Sequence, residues 1–245
     1  MHEPRRRQLY AARIQELSPT MRRVVLTGDD LEPEFPFPAR AATDHVKLAV
    51  PDPSTGEIPL PGPGEKPTGL RDYTIRHFDA DARELTLDFV THEHGAVGRW
   101  AAAAEPGSKL GVLGPRGSQI FPANCAEYLL VADETALPAA ERFLEELPST
   151  TTVRVVAIAR GAPRELGGGR EAQITWLPEI DGTGLVKTVA ELPLAANCFV
   201  FGAGEAAMMA PLRRHLRDER GLPPERMSVR GYWKLGTAGN PPAEE

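Results

Sequence analysis

The chain has 245 residues, 41% hydrophobic and 25% charged, with 28 Lys and Arg against 34 Asp and Glu for a net charge of −6. That balance belongs to a protein with an ordinary buried core, and a globally acidic chain is a poor nucleic-acid binder, because phosphates require clustered cations. No apolar run reaches the ~18–20 residues that cross a bilayer, and Arg5, Arg6 and Arg7 are not followed by an apolar segment of the secretory kind, so the expectation is a cytoplasmic protein without a transmembrane segment. Short segments rich in Val, Leu, Ile and Thr come first: Gln8–Glu16, Met21–Thr27, His45–Val50, Tyr73–Phe78, Glu84–Val90 and Lys109–Leu113. Each has strand character. Between the third and fourth, residues 51–67 hold six prolines and three glycines in 17 positions, the composition of a long irregular loop. With one helix predicted at Val97–Ala104, the six strands point to a small antiparallel barrel.

After about Ala123 the rhythm changes. Strands are predicted at Tyr128–Ala132, Thr152–Ala159, Ala172–Leu177, Cys198–Phe201 and Met227–Tyr232, with helices at Leu137–Leu147, Leu185–Leu192 and Glu205–Arg220. Alternating strands and helices imply a mostly parallel sheet of the nucleotide-binding type. A boundary near Pro122 divides the chain into domains of residues 1–122 and 123–245, with a disordered tail expected over 237–245. Cys125 and Cys198 form neither a disulfide framework nor a metal-spaced pair. Cys198, inside an apolar run, reads as a buried, inert thiol.

Four stretches carry chemistry. Arg71-Asp72-Tyr73-Thr74 opens the fourth strand; an arginine can fork onto a pyrophosphate, a tyrosine can stack on a flat ring, and a threonine can hydrogen-bond a ring nitrogen. Tyr and Thr are also simply good strand formers. The run Val90 to Trp100 ends a strand and begins a helix, where free N–H groups favour a phosphate. Its His92 and His94 lack a third ligand at metal spacing, so no metal is expected. Gly202-Ala203-Gly204-Glu205-Ala206-Ala207 formally fits the dinucleotide fingerprint but stands late in the chain. It reads equally as a glycine turn for close strand–helix packing or as backbone approaching a nicotinamide at the sheet's carboxyl edge, beside the loop Asp133 to Pro138. Tyr232 and Trp233 read either as core or as a flavin cover. The arginines Arg213, Arg214, Arg217 and Arg220 read as a solvated helix face with i,i+4 support.

In this order the segments resemble the siderophore-interacting protein family of flavin-dependent ferric-siderophore reductases, relatives of the ferredoxin reductases. The resemblance rests on Arg71 to Thr74, His92 to Trp100, Gly114-Pro115-Arg116-Gly117, Asp133 to Pro138, Gly202 to Glu205, and Gly231-Tyr232-Trp233-Lys234-Leu235-Gly236. It implies an FAD-binding six-stranded antiparallel barrel followed by an NAD(P)H-binding α/β domain of ferredoxin-reductase type. FAD would be held by Arg71, Tyr73, Thr74, Asp88, Val90, His92, Gly98, Arg99, Trp100 and Thr135, with Tyr73 stacked on the isoalloxazine and Thr74 near its N5. Asp133, Glu134, Gly202, Gly204 and Glu205 would face the nicotinamide donor, and Lys47, Arg230 and Lys234 would hold an anionic ferric siderophore. The implied activity is electron transfer from NADH or NADPH, with ferredoxin as an alternative donor, through FAD to the ferric siderophore, releasing Fe(II). A general flavin reductase serving a protein acceptor and a siderophore-binding module without turnover are the competing readings. A monomer is expected.

Overall fold

A computed structural model describes residues 2, 4–62, 65, 69–91 and 95–237. The expected tail of residues 237–245 lies outside the described residues except for Thr237. The chain forms two compact units, Met1–Phe121 and Pro122–Glu245.

In the first unit six antiparallel strands close a barrel in the order β1-β2-β5-β4-β3-β6. They are β1 (Arg6–Ser18), β2 (Met21–Thr27), β3 (His45–Ala49), β4 (Arg71–Asp79), β5 (Glu84–Val90) and β6 (Lys109–Leu113), with α1 (Ala96–Ala103) between β5 and β6. Closure is made by β6, which pairs with β1 on one side and β3 on the other, leaving no free edge to aggregate. Leu9, Val24, Leu48, Ile75, Leu87, Phe89 and Val112 fill the interior, all fully buried. The proline-rich segment forms no strand or helix among its described residues. It packs onto β6 at Gly111, where a Cβ would stand 2.3 Å from the Ile58 side chain. The first strand is pinned by an unusual side chain. Arg7 is fully buried, donates from Nε to Glu32 at 2.9 Å and from Nη1 to the Gly114 carbonyl, and lies 5.0 Å over the Phe35 ring.

In the second unit a five-stranded parallel sheet runs β11-β10-β7-β8-β9. The elements are β7 (Glu127–Asp133), α2 (Leu137–Glu146), β8 (Thr152–Ile158), β9 (Gln173–Leu177), α3 (Gly182–Ala190), β10 (Cys198–Glu205), α4 (Ala206–Arg214) and β11 (Met227–Trp233). Strand alternation sorts the core into two layers. Leu129 and Val131 pack with Leu185 and Leu212 of α3 and α4, whereas Tyr128 packs with Phe143 of α2 at a centroid distance of 5.6 Å. Cys198 is fully buried, and burial pushes its thiol up to about 12.

Two elements differ from the sequence expectation. Strand β10 runs on through Gly202, Ala203 and Gly204, which pair with Val229, Arg230 and Gly231 of β11; the glycines continue the ladder instead of turning away from it. The predicted helix Glu205–Arg220 is an α-helix only to Arg214. It contains Pro211 and continues as a π-turn, His215–Glu219, in which the Arg220 amide reaches the His215 carbonyl at 3.0 Å. Pro211 offers no amide to the helical ladder. There Arg217 pairs with Asp218, adjacent in sequence and 2.7 Å away, the Arg214 cation also acts on Asp218 at i,i+4, and His215 meets Glu219 at i,i+4 at 3.0 Å.

Candidate functional site

The barrel unit gathers its candidate residues along the start of β4 and the start of α1. Alternation sends Arg71 and Tyr73 to one face of β4 and Asp72 and Thr74 to the other. The Tyr73 ring stacks on Phe89 at 4.7 Å, and Phe89 on Trp100 at 5.6 Å. Burial raises the Tyr73 phenol to about 12, against the pull of the Arg71 cation, so the ring stays neutral. Arg71 donates through Nη1 alone to the Gly69 and Leu70 carbonyls at 3.2 and 3.0 Å. Its remaining donors have no partner among the described residues. Thr74 is only 8% exposed, and among the described residues its hydroxyl makes no hydrogen bond; it is not one of the fully buried unpartnered atoms, so it keeps contact with solvent and is open to a ligand.

Helix α1 begins at Gly95, which has a φ of 80° and no side chain to cap the helix, and its first turn contains no acid. Among the described residues nothing caps the positive end of the helix, which favours an anion there. Its other end is closed by Arg22, whose Nη1 donates to the carbonyls of Ala101, Ala102 and Ala104. Trp100 anchors the helix by donating from Nε1 to the Lys109 carbonyl at 3.0 Å. Gly98 is buried and Arg99 exposed. Asp88 and Val90 lie on β5; Asp88 is buried and held by both arms of Arg23, its cross-strand neighbour, at 2.7 Å each. His92 lies outside the described residues. Lys47, on β3, faces Asp72 across the ladder and donates to it at 2.6 Å.

The second unit places its candidates at the carboxyl ends of the central strands. Counted within this unit, the sheet order reverses between β7 and β10, and open α/β sheets bind ligands in the crevice beyond such a switch point. The Asp133 carboxylate, buried at the end of β7, accepts four hydrogen bonds. Thr135 supplies its amide and hydroxyl at 2.9 and 2.6 Å, Glu205 its amide at 2.9 Å, and Trp233 its indole N–H at 2.8 Å. Burial pushes the Asp133 pKa above the ordinary value, while these donors pull it down. Gly204 must be glycine, since a Cβ would stand 2.7 Å from the Asp133 Cγ. Glu205 caps α4 by accepting from the Ala207 and Met208 amides and also accepts from Leu235. Gly202 packs against Val229 and Leu212.

The structure thus joins Asp133, Thr135, Gly204 and Glu205 in one hydrogen-bonded corner, and Arg71, Tyr73 and Thr74 on one strand end. Glu134 is buried beside Asp133. Arg230 lies on β11 and Lys234 just beyond it, both exposed, the latter without an acidic partner among the described residues. Asp72, Arg22 and Arg23 escaped the sequence reading because their roles arise across strands. Only the register, Lys47 opposite Asp72 and Arg23 opposite Asp88, reveals them.

The model of the siderophore-interacting FAD-binding domain matches residues 11–119, and that of the siderophore-interacting protein matches residues 125–236. The chain is 32% identical to the NADPH-dependent ferric-chelate reductase of Escherichia coli over 93% of its length and 92% of that protein's. It is 30% identical to the ferric vibriobactin reductase ViuB of Vibrio cholerae, over 94% and 90% of the two chains. A siderophore utilization protein from T. fusca superposes with a TM-score of 0.86 at 40% identity, over 98% of this chain and 96% of that one. The barrel with its aromatic strand end, the reversing parallel sheet and these matches together establish that the chain belongs to the siderophore-interacting protein family.

Proposed function

We propose that this protein is a flavin-dependent reductase that moves electrons from NAD(P)H through FAD to a ferric siderophore and so releases Fe(II). The observation that carries the reading is the Thr74 hydroxyl, on a nearly buried residue yet open to a ligand and with no hydrogen-bond partner among the described residues, beside the neutral Tyr73 ring and the donors left over on Arg71. That set fits FAD: a flat surface for the ring, a hydrogen-bonding hydroxyl for its edge and a fork for its phosphates. The uncapped start of α1, with Gly98 in its first turn, adds amide donors for the pyrophosphate.

When bound, FAD supplies the conversion between a two-electron hydride donor and one-electron acceptors. Overall, one NAD(P)H and two ferric complexes give NAD(P)+, two Fe(II) and one proton. Hard oxygen donors hold Fe(III) much more firmly than Fe(II), so each electron delivered loosens a metal ion. The chain's own residues bind, orient and set charge. No protein nucleophile or general acid enters this account. The α/β unit takes the nicotinamide at the crevice beyond β7 and β10, and Lys47, Arg230 and Lys234 supply cations for an anionic siderophore. The reading includes a monomer acting in the cytoplasm, a setting that suits the two free, buried cysteines.

The test is the visible spectrum of the purified protein under anaerobic conditions, before and after NADH, NADPH and then a ferric siderophore. A flavin spectrum that bleaches with a nicotinamide and recovers as Fe(II) appears is the expected result. Bleaching without recovery would assign another electron acceptor, and bleaching by reduced ferredoxin alone would reassign the donor. A colourless protein that FAD cannot reconstitute would overturn the reading.

A further inference from the structure

We infer that Arg160 binds the 2′-phosphate of the dinucleotide and makes this enzyme select NADPH over NADH. The inference rests on the reading of the α/β unit as the nicotinamide-nucleotide domain. Strands β7 and β8 pair in parallel with Asp133 opposite Ile158, and the Ala159 amide extends the sheet by one bond to the Leu177 carbonyl at 3.1 Å. Arg160 is therefore the first residue beyond the sheet's carboxyl edge on β8, two positions past Ile158, as Thr135 is two past Asp133 on β7. In a sheet of this order, the residues just after the strand next to the switch point meet the adenosine ribose. A carboxylate there takes the free 2′-hydroxyl of NAD, and an arginine accommodates the 2′-phosphate of NADP. The chain reads Ile158-Ala159-Arg160-Gly161, with no carboxylate.

A second observation favours this arginine. The turn after β7 offers a pyrophosphate little. It carries Asp133 and Glu134 and no glycine; the Thr135 amide is spent on the Asp133 side chain and the Ala136 amide on the Asp133 carbonyl, at 2.9 Å each, and Pro138 in the first turn of α2 has no N–H. With two of the turn's amides spent within it and a third absent, a cation elsewhere at this edge adds the charge that an anionic nucleotide needs. Arg160 is available. Its side chain is 54% exposed, and its one ion pair among the described residues, to Glu179 just beyond β9, spans 3.2 Å to an acid that is itself 65% exposed. Such a pair yields readily to a dianionic phosphate.

The test compares NADPH and NADH with ferricyanide as the electron acceptor, so that siderophore docking plays no part. Arg160→Ala should raise the KM for NADPH about 10- to 100-fold, the range for losing a charge-assisted contact, while the KM for NADH, kcat and FAD content stay put. Arg160→Lys should restore part of the loss. In the parent enzyme 2′,5′-ADP should compete with NADPH far better than 5′-AMP does, and Arg160→Ala should abolish that advantage. Glu179→Gln should leave NADH kinetics unchanged. Unchanged NADPH kinetics in Arg160→Ala, or a rise in the NADH KM in Glu179→Gln, would overturn the inference while leaving the reductase reading intact. A parent enzyme that oxidises neither nucleotide would instead overturn the reading on which the inference stands.

Discussion

Lys47 and Asp72 are directly opposed on β3 and β4 and joined at 2.6 Å, and the next same-face pair along the ladder is His45 with Thr74. A cation proposed to receive an anionic iron complex is thus neutralised by its own strand neighbour, on the face that carries the Thr74 hydroxyl. An ion pair this accessible is worth only about 0–1 kcal/mol, so a highly charged siderophore can displace Asp72 whereas a weak anion cannot. Asp72→Asn should lower the KM for an anionic ferric siderophore about 2- to 5-fold at low ionic strength, an effect erased by salt. A neutral ferric chelate should show no change. Lys47→Ala should abolish the gain in the double variant, and steady-state kinetics across salt concentrations read all of this out.

The Arg7–Glu32 pair contributes to the acid stability of the barrel. The Arg7 hydrogen bond holds the Glu32 carboxyl below the usual range. A depressed folded-state pKa contributes stability that is present above the unfolded value, near ~4.3, and is lost as pH falls through the lower folded value. The thermal midpoint of the barrel should therefore drop over that window, and Glu32→Gln should flatten this part of the profile. At neutral pH Glu32→Gln leaves a buried arginine without its counter-charge, a loss of about 3–5 kcal/mol, checked by urea unfolding.

Much of this architecture was legible because local signals agreed. Within β7 the run Tyr128–Ala132 is apolar and buried on both faces, so it reads as a central strand. The alternating runs of the barrel read as strands for a different reason, one face in and one out. What escaped was non-local. Nothing in Asp133 by itself announces that it takes the indole N–H of Trp233, 100 residues away, and nothing in Arg22 announces that it closes the end of α1. The G-A-G-E stretch fits both a dinucleotide pattern and a turn for close packing, and in the fold its glycines answer to the space taken by Asp133 and Val229.

The flavin-facing roles proposed for Arg71 and Thr74 separate by experiment. Among the described residues Arg71 hydrogen-bonds only to the Gly69 and Leu70 carbonyls, so Arg71→Ala should leave the fold intact and weaken FAD binding about 10- to 100-fold, as expected for losing a charge-assisted fork. Thr74→Val keeps the strand and the volume but removes the hydroxyl. FAD should remain bound, while reduction by the nicotinamide slows roughly tenfold, equivalent to about 1.4 kcal/mol in the barrier. Equilibrium FAD titration and single-turnover absorbance distinguish the two, and equal FAD loss in both variants would remove Thr74 from its assigned role.

The corner around Asp133 responds to a single methyl group. In Gly204→Ala the new Cβ would stand 2.7 Å from both Cγ and Oδ2 of Asp133, the oxygen that accepts from Glu205 and Trp233. The carboxylate cannot retreat without releasing those donors, because Thr135 holds its other oxygen. Overpacking and lost hydrogen bonds together should destabilise the α/β unit by about 2–4 kcal/mol, and Trp233, freed from Asp133, should shift its fluorescence. Asp133→Asn keeps one oxygen to accept but turns an amide group toward a donor, so its loss should be similar in sign without steric strain. The double variant should cost much less than the sum, because both changes break one corner. Urea midpoints for the three proteins give the coupling directly, and strict additivity would show that Gly204 and Asp133 act independently.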